Sequence, residues 1–162
     1  MADYCEQFLR ACSDGNLDLA RQLQPHVPLE SAEFLQGIFI EVIKEKNSPM
    51  VEFLIQCSPE SFVSHFPDSV LLHAMDAGPQ IYALFISKDP SVARRSFGHM
   101  GDALGLVVMR NDATFVKLLL DNGASPSSSK IFHKPTTEVA KDLQNVDREI
   151  MRMLSQIQES LK

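Results

Sequence analysis

The chain has 162 residues, 44% of them apolar, no Trp and a formal net charge of −6. Neutralising phosphates needs a basic field, so this acidic balance excludes nucleic acid as the expected partner, and the one basic doublet, Arg94-Arg95, reads as a solvated loop. No stretch approaches the roughly 18 consecutive apolar residues that span a bilayer, and the start Met1-Ala2-Asp3-Tyr4-Cys5-Glu6 lacks the basic and apolar regions of a secretory signal, so the protein is expected off the membrane and inside the cell, in the cytoplasm or nucleus.

Taken in chain order, the predicted elements are all helical and come in pairs. The first pair runs from Asp3 to Ser13 and from Leu17 to Gln24, broken by Gly15 and then by Pro25 and Pro28. The second runs from Ser31 to Glu45 and from Pro49 to Cys57, with Pro49 tolerated in a first turn. The third covers Asp68 to Met75 and Gln80 to Ser87, with Asp68 as its N-cap and Gly78-Pro79 as the turn. Asp102 to Arg110 and Ala113 to Asp121 follow, Asp102 repeating the capping role, and the last pair is Thr136 to Leu143 and Val146 to Leu161. The final helix places Arg148, Glu149, Arg152, Gln156 and Glu159 on its outer side, as a terminal repeat requires when no neighbour covers it. In the longer connections, Phe62-Val63 and Val92-Ala93 are expected to add a helical turn, and Ser125 to Lys130 is expected to be the most flexible internal segment.

These pairs share a phase. Phe8, Phe39, Val70 and Leu104 form one apolar column, stepping by 31, 31 and 34 residues. Ala11, Val42, His73 and Val107 form a second; Leu19, Met50, Ile81 and Phe115 a third; Leu23, Leu54, Phe85 and Leu119 a fourth. Dividing the length by about 33 residues per unit gives about five units, enough to stack a continuous core.

Three segments carry a family resemblance. Ala11-Cys12-Ser13-Asp14-Gly15-Asn16-Leu17-Asp18-Leu19-Ala20, Leu118-Leu119-Leu120-Asp121-Asn122-Gly123-Ala124 and Pro135-Thr136-Thr137-Glu138-Val139-Ala140-Lys141 resemble the ankyrin repeat: an interhelix turn, a second-helix ending with its Gly-Ala loop start, and the first helix of a closing repeat. Elsewhere the pattern is eroded. Gly15 is replaced by Lys46, Ala77 and Asn111 at the equivalent places, and Leu71-Leu72-His73-Ala74 lies out of register with the family's first-helix start. The resemblance implies an all-α solenoid of about five stacked helix-turn-helix repeats in a single domain over 1–162, with repeats near 3–29, 30–60, 61–94, 95–127 and 128–162.

It also implies which positions line the concave groove. They are Arg10, Ser13 and Asp14, then Glu41, Lys44 and Glu45, then Leu72, Met75 and Asp76, then Leu106, Met109 and Arg110. Leu72, Met75, Leu106 and Met109 would form an apolar patch, and such patches mark partner or ligand sites. The competing reading buries them in ordinary core. The expected function is a non-catalytic protein-interaction module, monomeric on its own, with the four apolar residues as anchors and Glu41, Lys44, Glu45, Asp76 and Arg110 setting orientation. The alternative is a small-molecule-binding protein or enzyme using an apolar groove between the third and fourth repeats, with His73, His99 and Asp76 at hand.

Residue chemistry adds little to that alternative. The five histidines show no His-x-x-x-His spacing and the three cysteines no Cys-x-x-Cys, so no metal site or cofactor is expected. Cys5, Cys12 and Cys57 read as free thiols. Gly98, Gly101 and Gly105 lack the Gly-Lys-Ser/Thr ending of a phosphate loop and read as a loop feeding a helix. His73 reads either as a base oriented by Asp76 or as a hydrogen-bonded core histidine, the blander choice.

Overall fold

Three helical hairpins reverse direction on the same pair of residues, one with a left-handed backbone and one that caps the next helix. Gly15, Lys46 and Asn111 hold φ of 74°, 55° and 58°. Each is followed by an Asx residue: the side chains of Asn16, Asn47 and Asp112 accept hydrogen bonds from the backbone N–H groups of Leu19, Met50 and Phe115, all at 3.1 Å. The left-handed residue ends one helix while the Asx oxygen satisfies an orphan donor of the next. Lys46 and Asn111 do this without glycine, at a steric cost of about 1–2 kcal/mol each.

The computed structural model describes residues 3–143 and 145–160, with the side chains of 157–160 excepted. The outward placement expected of Glu159 lies outside the described side chains, as do Met1, Ala2 and Leu161 altogether. The described residues are mostly helical, with one short strand pair. The chain divides into two compact units, Met1–Asp89 and Pro90–Lys162, meeting in sequence where the long connection from Asp89 to His99 begins. No described helix is long and apolar enough to cross a membrane.

The first unit contains α1 (Tyr4–Ser13), α2 (Leu17–Leu23), α3 (Ala32–Lys44), α4 (Ser48–Cys57), a single turn α5 (Glu60–Val63), α6 (Asp68–Ala77) and α7 (Pro79–Lys88). Helices α1 and α2, α3 and α4, and α6 and α7 pack as hairpins; α1 also packs on α3, α3 on α6, and α4 on α7. The columns read from sequence account for this burial. Phe8, Phe39 and Val70 are fully buried, as are Met50 and Ile81, and Leu54 and Phe85. Leu19 belongs to the same column as Met50 and Ile81 yet is 38% exposed, on the outer side of the first hairpin. The connection after α4 is part of the core. It packs Phe62 and Phe66 against Phe39 and Phe85, with ring centroids 4.9–6.4 Å apart.

Asp68 does not cap α6. Pro67 occupies the cap position, no side chain bonds there, and Asp68 is the first helical residue. The preceding proline fixes an extended approach to the helix, which moves its start by one residue. The turn after α6 falls at Gly78-Pro79 as expected: Ala77, at the place equivalent to Gly15, stays helical, and Gly78 takes the positive φ, 117°.

The second unit contains a 3₁₀ turn at Pro90–Arg94, α8 (Ala103–Met109), α9 (Ala113–Asp121), a two-residue strand pair β1 (Lys130–Ile131) and β2 (Lys134–Pro135), α10 (Thr136–Asp142) and α11 (Arg148–Ser160). Helices α8 and α9 pair, α10 packs on α8, and α11 on α9. Asp102 caps α8 as expected, accepting from the Gly105 N–H at 2.8 Å. Val92 and Ala93 are fully buried on the 3₁₀ turn. The β1–β2 hairpin begins at the end of the segment that reads from sequence as a flexible loop. Its turn residues, Phe132 and His133, both have positive φ (47° and 69°), the mirror-image turn that Asn-Gly normally supplies. Gly101 and Gly105 make room for it: a Cβ on either would come within 2.6 Å of the Lys130 carbonyl.

Candidate partner-binding surface

Three helices of the first unit that pack in succession, α1, α3 and α6, each carry an exposed acidic residue at or near the C-terminus. Asp14 is the C-cap of α1, Glu45 the C-cap of α3, and Asp76 lies in the last turn of α6. They are spaced 31 residues apart and all three are exposed. A helix C-terminus carries a partial negative charge, so an acidic residue there is disfavoured by about 0.3–1 kcal/mol. Exposed ion pairs on the same helices offset part of this: Arg10 lies 3.4 Å from Glu6, and Lys44 3.7 Å from Glu41. Such surface pairs contribute little to stability, about 0–1 kcal/mol.

The acidity is concentrated in this unit. Residues 1–89 carry five Lys/Arg against thirteen Asp/Glu, net −8, whereas 90–162 carry ten against eight, net +2. A cleft of about 550 Å³ runs against α1 and the start of α2, with Asp3, Glu6, Arg10 and Asp14 on its wall beside the partly exposed Leu19. Of the groove positions read from the register, Arg10 and Asp14 lie on this cleft.

Of the residues expected to line a groove, Glu41, Lys44, Glu45 and Asp76 are exposed on the first unit and Leu72 is partly covered. Met75 is a correction: it is 1% exposed and belongs to the core. Its counterparts Ser13 and Lys44 are the last residues of α1 and α3, but α6 continues to Ala77, so position 75 sits inside the helix and turns inward. Met75 is therefore not available to the expected apolar patch. On the second unit, Leu106 is partly buried, Met109 is 47% exposed at the end of α8, and Arg110, its C-cap, is exposed.

His73 has its Nδ1 2.7 Å from the Ser69 carbonyl, one turn back in α6, so Nδ1 carries the proton and donates it there. This is the blander of the two expected readings. Burial pushes the Cys12 thiol up to about 12, with Cys57 adding to the effect, and pushes Cys57 up to about 11. Thiols so held are protonated and poor nucleophiles at neutral pH. Among the described residues no three His, Cys, Asp or Glu side chains gather within reach of one ion. No protein-family model matches the chain, and no curated protein matches it in sequence.

Proposed function

We propose that this chain is a degenerate ankyrin-type repeat protein that works without catalysis, as a module holding a basic segment of a protein partner across the ends of α1, α3 and α6. The observation that carries this reading is the recurrence, every 31 residues, of exposed Asp14, Glu45 and Asp76 in the C-terminal turns and caps of three successively packed helices, where the helix's own partial charge disfavours an acidic side chain. A charge that recurs at a fixed period against its local preference is accounted for by a ligand, because a cationic partner reverses the sign of the interaction.

The spacing narrows the partner's form. Packed helices lie about 8–10 Å apart, so the three carboxylates of a parallel stack recur at that interval. A polyproline II segment advances about 3.1 Å per residue with three residues per turn, and presents every third side chain on one face about 9 Å apart. The partner segment is accordingly an extended one with Lys or Arg at every third position. Arg10, Glu41 and Lys44 flank the row and fix its direction, and Leu19 offers an apolar rest for an aliphatic stem.

A peptide of three Lys-Pro-Pro repeats tests this. Titrated into the protein at low ionic strength, it should bind more tightly than a peptide of the same composition with its lysines consecutive, and lose that advantage against the Asp14→Asn/Glu45→Gln/Asp76→Asn variant. Equal binding of the two peptides, or an unchanged titration with the variant, would refute the reading.

A further inference from the structure

We propose that the second unit carries a binding site for a phosphoryl dianion, an inference independent of the acidic surface described above. A cleft of about 290 Å³ beside the β1–β2 hairpin is lined by Arg94, Ser96, Ser128, Lys130 and His133, with the Asp102 carboxylate in its wall. Gly98 and Gly101 complete the lining with bare backbone. A guanidinium fork, an ammonium group, an imidazole and two hydroxyls are the donor set that a tetrahedral oxyanion takes.

Three features separate this cleft from an ordinary polar surface. Arg94 and Lys130 are exposed and neither enters an ion pair among the described residues, although the chain as a whole is acidic. Two cationic side chains lining one cleft repel one another, and an anion between them offsets that cost. Asp102, the one carboxylate present, is committed to the protein's own donors. Its Oδ1 accepts from the Gly105 N–H at 2.8 Å and the Ser129 hydroxyl at 2.7 Å, and its Oδ2 from the Lys130 N–H at 3.3 Å. Those bonds spread its charge and pin β1, which carries Lys130, to the N-terminus of α8.

The third feature is the turn that positions His133. Phe132 and His133 are both held at positive φ, where Asn-Gly would sit without strain. Non-glycine residues kept in this region persist where the surroundings over-determine them, and they cluster at binding sites. Phe132 is 63% exposed at the same tip, beside the rim that His133 forms. The cleft's volume suits a phosphorylated side chain with its first shell of water as well as free phosphate, and the shared chemistry is the dianionic phosphoryl group.

The test is ¹⁵N NMR of the full chain, titrated at constant ionic strength with inorganic phosphate and, separately, with N-acetyl-O-phosphoserine amide. Saturable shifts are expected at the amides of Ser96, Gly98, Gly101, Ser128, Lys130 and His133, with Kd on the order of 1 mM. The Arg94→Ala/Lys130→Ala variant should weaken binding by about tenfold, and Lys117→Ala, which removes an exposed lysine paired with Asp121, should leave it unchanged. Tighter binding of the phosphoserine amide assigns the site to a phosphorylated peptide, and equal binding assigns it to free phosphate. Should the double variant lose its native spectrum, Arg94→Gln alone carries the comparison. Shifts no larger than those from sodium chloride, shifts scattered over the other Lys and Arg residues, or binding unaltered in the variants would overturn the proposal.

Discussion

Ser129 and Asp102, 27 residues apart in sequence, are joined by a hydrogen bond of 2.7 Å from the serine hydroxyl to Oδ1. Ser129 is 1% exposed and its hydroxyl also meets that of the fully buried Thr136 at 2.6 Å, so one side chain ties the cap of α8 to the first turn of α10. Ser129→Ala should therefore cost about 1–3 kcal/mol, because it strands a buried hydroxyl and removes a donor from a carboxylate. Urea unfolding is the measurement. Ser127→Ala, an exposed change in the same serine run, should shift stability by less than about 0.5 kcal/mol.

Two glycine-to-alanine changes in helices should have opposite signs. Gly37 lies exposed in α3 with no atom within 4 Å of the place a Cβ would take, so Gly37→Ala should stabilise the protein by about 0.5–1 kcal/mol. At Gly105 in α8 a Cβ would lie 2.6 Å from the Lys130 carbonyl and 2.7 Å from Ile131 Cγ1, so Gly105→Ala should destabilise by about 1–3 kcal/mol. Thermal melts of the two variants check both signs at once.

Met75 and Met109 occupy equivalent sequence positions in different environments. Met75→Asp places a carboxylate in the core and should cost about 3–5 kcal/mol or abolish folding, whereas Met109→Asp, at a residue 47% exposed, should change stability by less than about 1 kcal/mol. Circular dichroism melts distinguish the two. Equal effects would mean that the ends of α6 and α8 are not different.

The buried thiols set a pH dependence. Cys12 and Cys57 stay neutral in the folded protein up to about 12 and about 11, but ionise near their ordinary 9.0 once unfolded. Their contribution is thus intact below pH 9 and is lost as pH rises from 9 through the folded values. Native alkylation with iodoacetamide at pH 8 should mark Cys5 well before Cys12 or Cys57, whose thiols are held protonated. Removing both of these thiols, the buried Cys12 and the half-buried Cys57, as in Cys12→Ala/Cys57→Ala, should flatten the fall in stability above pH 9.

The helical pairs were legible because each repeats the same demands: an apolar column, a reversal and a capping oxygen. Asn16, Asn47 and Asp112 fall one place after the turn residue in three hairpins. What sequence obscured was the turn chemistry itself. Lys46 and Asn111 adopt the left-handed conformation that Gly15 takes with ease, while Ala77 does not, and the one-place shift to Gly78 is what turned Met75 inward. Asp68 looked like Asp102 as a cap, but the proline before it took the position. The β1–β2 hairpin was hidden because Phe132-His133 carries none of the usual glycine or asparagine signal. The acidic row was present in the register as Asp14, Glu45 and Asp76; its significance depended on seeing that two cap helix ends and the third lies in a last turn.

The proposal stands or falls on whether Asp14 and Glu45 are kept for a partner and not for the fold. Measuring the Tm of the Asp14→Asn/Glu45→Gln variant at low salt, alongside its affinity for the Lys-Pro-Pro peptide, tests it most directly. The expected result is a Tm equal to or above that of the parent protein together with peptide binding at least about tenfold weaker. A lowered Tm with the peptide bound as before would contradict it.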